Sequence, residues 1–129
     1  MKNIDIVRGY RSFGHEDLYT SDPNVAVQPG DIITMDGQKA TLTDTHIECG
    51  VAVESNVNPM GQQKPSGKIP VYVSNFVVRF YQPAPDGVNL NDPVTVVDGK
   101  VAPLDDTHKV VWGYVTRITE TSFDVRVNY

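Results

Sequence analysis

The sequence predicts an all-β domain, a compact β-sandwich or barrel built from two duplicated halves, and three observations carry that reading. A stretch occurs twice: Asp36-Gly37-Gln38-Lys39-Ala40-Thr41-Leu42-Thr43-Asp44-Thr45-His46 and Asp98-Gly99-Lys100-Val101-Ala102-Pro103-Leu104-Asp105-Asp106-Thr107-His108 share seven of eleven positions at an offset of 62 residues. Self-similarity at a fixed spacing signals a duplicated structural unit. Each copy begins at an Asp-Gly pair flanked by alternating residues, a strong local hairpin signal, because a type I′ turn needs positive φ at both central positions. The composition agrees: nine prolines, ten glycines and many Val and Thr, without a long helix-forming stretch.

Residues 1–24 stand apart. They show no period, and residues 1–15 hold three of the eleven basic side chains but one of the sixteen acidic ones. They are read as an N-terminal arm, followed by a single β domain over 25–129. The first repeat spans 25–81. Ile32-Ile33-Thr34-Met35 leads into the Asp36-Gly37 turn, with Ile33 expected opposite Ala40. In Leu42-Thr43-Asp44-Thr45-His46, Asp44 and Thr45 can bond their own backbone and redirect the chain. A strand follows over 47–54. Residues 55–68, rich in Asn, Gln, Pro, Gly and Ser, read as an exposed loop inserted into this copy. The segment 69–81 is strand-like, with a break near Ser74-Asn75, and residues 82–87 punctuate the repeats.

The second repeat spans 88–129, with a short hairpin at Glu120-Thr121-Ser122. It carries one more residue before its Asp-Gly than the first: Asp31 and Asp92 are 61 apart, Gly37 and Gly99 are 62 apart. A one-residue slip turns every side chain to the opposite face. A three-residue loop, Val97-Asp98-Gly99 with Gly99 left-handed, absorbs the extra residue and sets Val94 opposite Ala102. Ala40, Ala102, Leu42 and Leu104 are then all expected to face inward.

The formal net charge of -5 argues against nucleic acid as a partner, since that affinity rests on neutralising phosphates. Cys49 is the only cysteine, so there is no internal disulfide, zinc cluster or C-x-x-C pair; it reads as a buried apolar residue. No apolar run has the length of a membrane span, and the charged N-terminus lacks a signal-peptide core, so synthesis in a cytoplasm is expected. Nucleotide, zinc-protease and hydrolase motifs are absent. The repeated Asp-Thr-His places Asp44, His46, Asp106 and His108 as a conceivable metal set, against the simpler reading of a turn cap repeated by duplication. Asp105-Asp106 reads as a solvated turn, and Trp112 as a core indole beside Gly113. No catalytic, cofactor-binding or metal residue is assigned.

The repeated layout resembles a known group. Gly30-Asp31-Ile32-Ile33 with Asp36-Gly37, Ala40, Leu42 and Gly50-Val51-Ala52, and then Asn91-Asp92-Pro93-Val94 with Asp98-Gly99, Ala102, Leu104 and Gly113-Tyr114-Val115, are similar to the small β-rich head decoration (cement) proteins of tailed bacteriophages. The resemblance covers about residues 25–129. It implies a non-enzymatic virion protein on the capsid exterior that clamps neighbouring major capsid subunits, without a cofactor and as a homo-oligomer, a trimer by preference. The alternative is a fibre or baseplate adhesion module that stacks host glycan on Trp112 or on tyrosines 10, 19, 72, 81, 114 and 129. For capsid contact the arm offers Arg8, Tyr10, Arg11, Phe13 and His15, because Arg and Tyr are enriched at interface hot spots.

Overall fold

The computed structural model describes residues 2–7, 14–45, 47–58, 60–64 and 67–128. Among them there is no helix, and ten strands form two antiparallel sheets. The six-stranded sheet has the order β1-β6-β10-β9-β7-β8, from β1 (Ile4–Val7), β6 (Phe76–Phe80), β10 (Phe123–Val127), β9 (Gly113–Ile118), β7 (Pro93–Val97) and β8 (Lys100–Pro103). The four-stranded sheet has the order β2-β5-β4-β3, from β2 (His15–Thr20), β5 (Lys68–Val73), β4 (Cys49–Ala52) and β3 (Ile32–Thr34). The arrangement is a compact open sandwich; neither sheet closes into a barrel.

The duplication is visible in the hydrogen bonds. Gln28 N–H donates to the Asp31 carboxylate and Asn89 N–H to the Asp92 carboxylate, both at 2.8 Å. In each copy the residue before the aspartate has positive φ, 98° at Gly30 and 70° at Asn91, which glycine and asparagine tolerate. That residue donates its N–H to the partner strand, Gly30 to the Ala52 carbonyl and Asn91 to the Val115 carbonyl, both at 2.8 Å. The strand orders β2-β5-β4-β3 and β6-β10-β9-β7 are the same order, one per unit. The first unit therefore starts at β2, and the second starts at β6, after the turn at Ser74, whose φ is 70°.

This relocates several boundaries. Residues 1–24, read as an arm, supply one edge strand to each sheet: β1 pairs with β6, and β2 pairs with β5 along its whole length. The repeats divide at Ser74-Asn75 and not at 82–87, because the chain changes sheet between β5 and β6. Residues 55–68 are also less free than an exposed loop. Asn56 is buried, accepts from Val27 N–H and donates to the Val25 carbonyl. Those bonds bind the base of the insertion to the segment before β3.

The turn register is the reverse of the expected one. In the second unit Val97 pairs directly with Lys100 across a two-residue Asp98-Gly99 turn, with φ of 48° and 77°, so Val94 lies opposite Pro103 and not Ala102. In the first unit Met35-Asp36-Gly37 is the three-residue loop: Ile33 pairs with Lys39, and Ala40 N–H donates to the Ile32 carbonyl. Contacts between the units hold this register. Gly99 donates to the Ala40 carbonyl and accepts from Ile32 N–H, while Asp98 N–H donates to the Thr41 hydroxyl. Met35 is held separately, its carbonyl accepting from Thr20 N–H. The faces follow. Leu42 and Ala40 are buried as expected, whereas Val101 takes the inward position in the second unit, leaving Ala102 and Leu104 half-buried.

Alternation along the strands sorts the buried residues into two clusters. Ile32, Val51 and Tyr72 join Trp112, Phe76, Val78, Phe80, Phe123 and Val125 in the larger one. Phe80 and Phe123 stack there at 5.0 Å. The intervening residues Ile33, Ala52, Val71 and Val73, with Tyr19, Val27 and Ile69, form the second cluster on the opposite face of the four-stranded sheet. Strands β3 and β4 of that sheet are thus buried on both faces. This accounts for the continuous apolar character of Cys49-Gly50-Val51-Ala52.

Candidate functional site

The buried charged groups Asp31 and Asp124 are spent on joining strands and units. Asp31 is 1% exposed, and its two oxygens accept from Lys39 and Lys100, each at 2.7 Å. One lysine belongs to each unit. Burial pushes the Asp31 carboxyl up, but the bonds from Lys100, Lys39 and the Gln28 N–H outweigh it and hold the group below its ordinary value. On the six-stranded sheet, Arg79 lies between Asp5 of β1 and Asp124 of β10, and Arg117 of β9 continues the row beyond Asp124. Arg79 makes two hydrogen bonds to Asp124, at 2.8 and 3.0 Å, which raise the guanidinium pKa further.

The repeated Asp-Thr-His resolves into turn chemistry in the second unit. Asp105 accepts from the Thr107 and His108 N–H groups, and its carboxylate lies 3.0 Å from His108 Nδ1. The capping residue is Asp105, not the Asp106 that the repeat singled out. Asp44 sits beside the Thr43 hydroxyl, and His46 lies outside the described residues. Among the described residues, no group of three or more His, Cys, Asp or Glu could hold a metal ion.

The Cys49 thiol is buried and pushed up to about 12 by desolvation, against a smaller opposing effect of the hydrogen bond with Trp112. Such a thiol carries negligible thiolate at neutral pH. Trp112 is 1% exposed, and Tyr19 and Tyr72 are also buried, so these three rings offer no stacking surface. Tyr81 and Tyr114 are exposed, with Tyr81 donating its hydroxyl to Asp5. Tyr10 and Tyr129 lie outside the described residues.

Of the proposed contact residues, His15 opens β2 opposite Val73 and is exposed. Arg8, Tyr10, Arg11 and Phe13 lie outside the described residues. Among the described residues, the exposed large apolar side chains are Leu18 on β2, Met35 at the first hairpin, Ile47 before β4, Met60 at the tip of the insertion, and Leu90, Tyr81, Tyr114 and Ile118. Asp31, Asn56 and Arg79 were missed from sequence. Asp31 carries a local signal, its place in Gly-Asp before a strand, but one of its lysines is 69 residues away.

No protein-family model matches the chain, and no curated protein or solved structure matches it.

Proposed function

We propose that this chain is a non-enzymatic capsid decoration protein: it binds the outside of an assembled phage head and stabilises it by bridging neighbouring major capsid subunits. The carrying observation is the duplicated unit itself. The two Gly/Asn-Asp turns that underlie the resemblance recur with the same hydrogen bonds, and the Asp98-Gly99 turn of the second unit bonds to Ile32, Ala40 and Thr41 of the first. Further support comes from where the chemistry is spent. The buried ionisable groups Asp31 and Asp124 are tied to lysine or arginine, and the only thiol is buried in the core. Burial of Trp112, Tyr19 and Tyr72 weighs against the glycan-binding alternative, since it removes three of the rings named as its platforms.

The direct test is sedimentation of the purified protein with undecorated tailed-phage heads. A fixed number of copies per capsid subunit should pellet with the heads, and their mass in solution should report the proposed trimer. Failure to co-sediment at any salt concentration overturns the reading. The contact set is tested by Arg8→Ala combined with Arg11→Ala, which should leave the melting temperature unchanged and remove co-sedimentation.

A further inference from the structure

The dipeptide Asp-Gly occurs three times, at Asp36-Gly37, Asp86-Gly87 and Asp98-Gly99. Aspartate before glycine is prone to close on itself. The glycine nitrogen attacks the aspartate Cγ, water leaves, and a five-membered succinimide ring forms. Glycine favours this because no Cβ hinders the approach and its backbone turns easily. The reaction needs a glycine N–H that is not held in a hydrogen bond. It also needs a peptide unit free to rotate against the carboxyl.

The structure withholds both conditions from the two repeated pairs. Gly37 N–H donates to the Thr34 carbonyl at 3.0 Å, and the Asp36 carboxylate accepts from the Thr34 hydroxyl. Gly37 is buried, and a Cβ there would lie 2.5 Å from the Thr20 carbonyl. Gly99 N–H donates to the Ala40 carbonyl at 2.8 Å, and the Gly99 carbonyl accepts from Ile32 N–H. Asp98 N–H donates to the Thr41 hydroxyl at 2.8 Å, so the second pair is clamped against the first unit. Reaction at either pair waits on local opening of these bonds.

Asp86-Gly87, in the connector between β6 and β7, is not held in this way. Both residues are exposed, and nothing lies within 4 Å of where a Gly87 Cβ would stand. Among the described residues none bonds the Gly87 N–H or the Asp86 carboxylate. One bond closes the turn around them, from Val88 N–H to the Pro85 carbonyl at 3.2 Å.

We propose that Asp86 is a site of spontaneous backbone isomerisation, and that the fold confines the reaction to it. The Gly87 nitrogen bonds to the Asp86 Cγ, and a carboxyl oxygen leaves as water, taking the amide proton and the carboxyl proton. Water then adds to one of the two ring carbonyls. Addition at Cγ breaks the new bond and restores aspartate. Addition at the main-chain carbonyl leaves Gly87 joined to Cγ, which is isoaspartate. The water released is replaced by the water added, so the composition is unchanged. The backbone gains one methylene and the residue carries a free α-carboxylate. Val88, which follows, is buried in the larger core cluster, so the lengthened turn pulls on a core residue. The proposal does not rest on capsid binding and is tested without capsids.

The test is incubation of the folded full chain in mildly acidic buffer, beside the same chain unfolded in urea. Isoaspartate is then located by peptide mapping and by methylation with S-adenosylmethionine and a protein isoaspartyl methyltransferase. The Asp86 peptide should convert in the folded protein within about threefold of its rate in urea, and the Asp36 and Asp98 peptides about tenfold or more slowly than theirs. Asp86→Glu, which would have to close a six-membered ring, should remove the methylation signal and melt as wild type. Asp86→Asn should convert faster than wild type through the same ring, with ammonia leaving in place of water. Conversion at Asp36 or Asp98 in the folded protein as fast as at Asp86 would overturn the proposal. Protection of Asp86 by folding as strong as that of the other two, or methylation undiminished in Asp86→Glu, would overturn it equally.

Discussion

Asp31 carries the electrostatic link between the units, and its removal is expected to be felt at both. Asp31→Asn should cost about 2–3 kcal/mol in urea unfolding, the range for a lost hydrogen bond to a charged group. The loss stays below that of a fully buried pair because Lys39 and Lys100 reach solvent. The pH dependence has a definite sign. The folded carboxyl is held below the ordinary 3.8, so between the two values the unfolded chain binds a proton that the native chain does not. Its contribution is present in full above the ordinary value and is lost as pH falls through the folded one. Unfolding midpoints measured from about pH 6 to about pH 2 should fall less steeply in Asp31→Asn than in wild type. The two repeated leucines give a second contrast. Leu42→Ala should cost about 2–5 kcal/mol, and Leu104→Ala less than about 1.5, because only Leu42 is enclosed. Equal losses at both would mean that the second hairpin faces the other way.

At the scale of elements, the Asp98-Gly99 hairpin does more than turn the chain. A Cβ on Gly99, whose φ is 77°, would lie 2.9 Å from the Lys39 side chain and 3.3 Å from the Ile32 carbonyl. Gly87 has a similar φ, 82°, but nothing within 4 Å. Gly87→Ala should therefore cost only the left-handed penalty of about 1–2 kcal/mol, and Gly99→Ala more, with loss of the contact between units. Thermal melts of the two variants check the ordering. Asn56 anchors the insertion in the same sense. Asn56→Ala should destabilise by about 1–3 kcal/mol, since Val27 N–H loses its buried acceptor, and amide exchange at Val27 should accelerate.

For the whole molecule, the N-terminal strands decide how much of the chain is dispensable. Removing residues 1–15 deletes β1 and the first residue of β2, and uncovers the β6 edge, which carries the buried Phe76, Val78 and Phe80. The truncated chain should melt several degrees lower and associate at high concentration, as seen by light scattering. An unchanged melting temperature would mean that β1 contributes nothing to the fold. An all-β class, two related units and a hairpin at each Asp-Gly were legible in the amino-acid sequence, because turn chemistry and alternation are local properties. The sequence also marked Trp112 and Cys49 as core, from their apolar surroundings. Neither the hairpin register nor the place of β2 was legible. Both Asp-Gly pairs permit two- and three-residue loops, and the choice rests on bonds from Gly99 to Ile32 and Ala40 across the unit boundary. β2, with five of its six residues exposed, has no apolar alternation to announce it; it is a strand because β5 offers it a ladder. Its partners, like the two lysines on Asp31, are distant in sequence and meet only when the sheets pack.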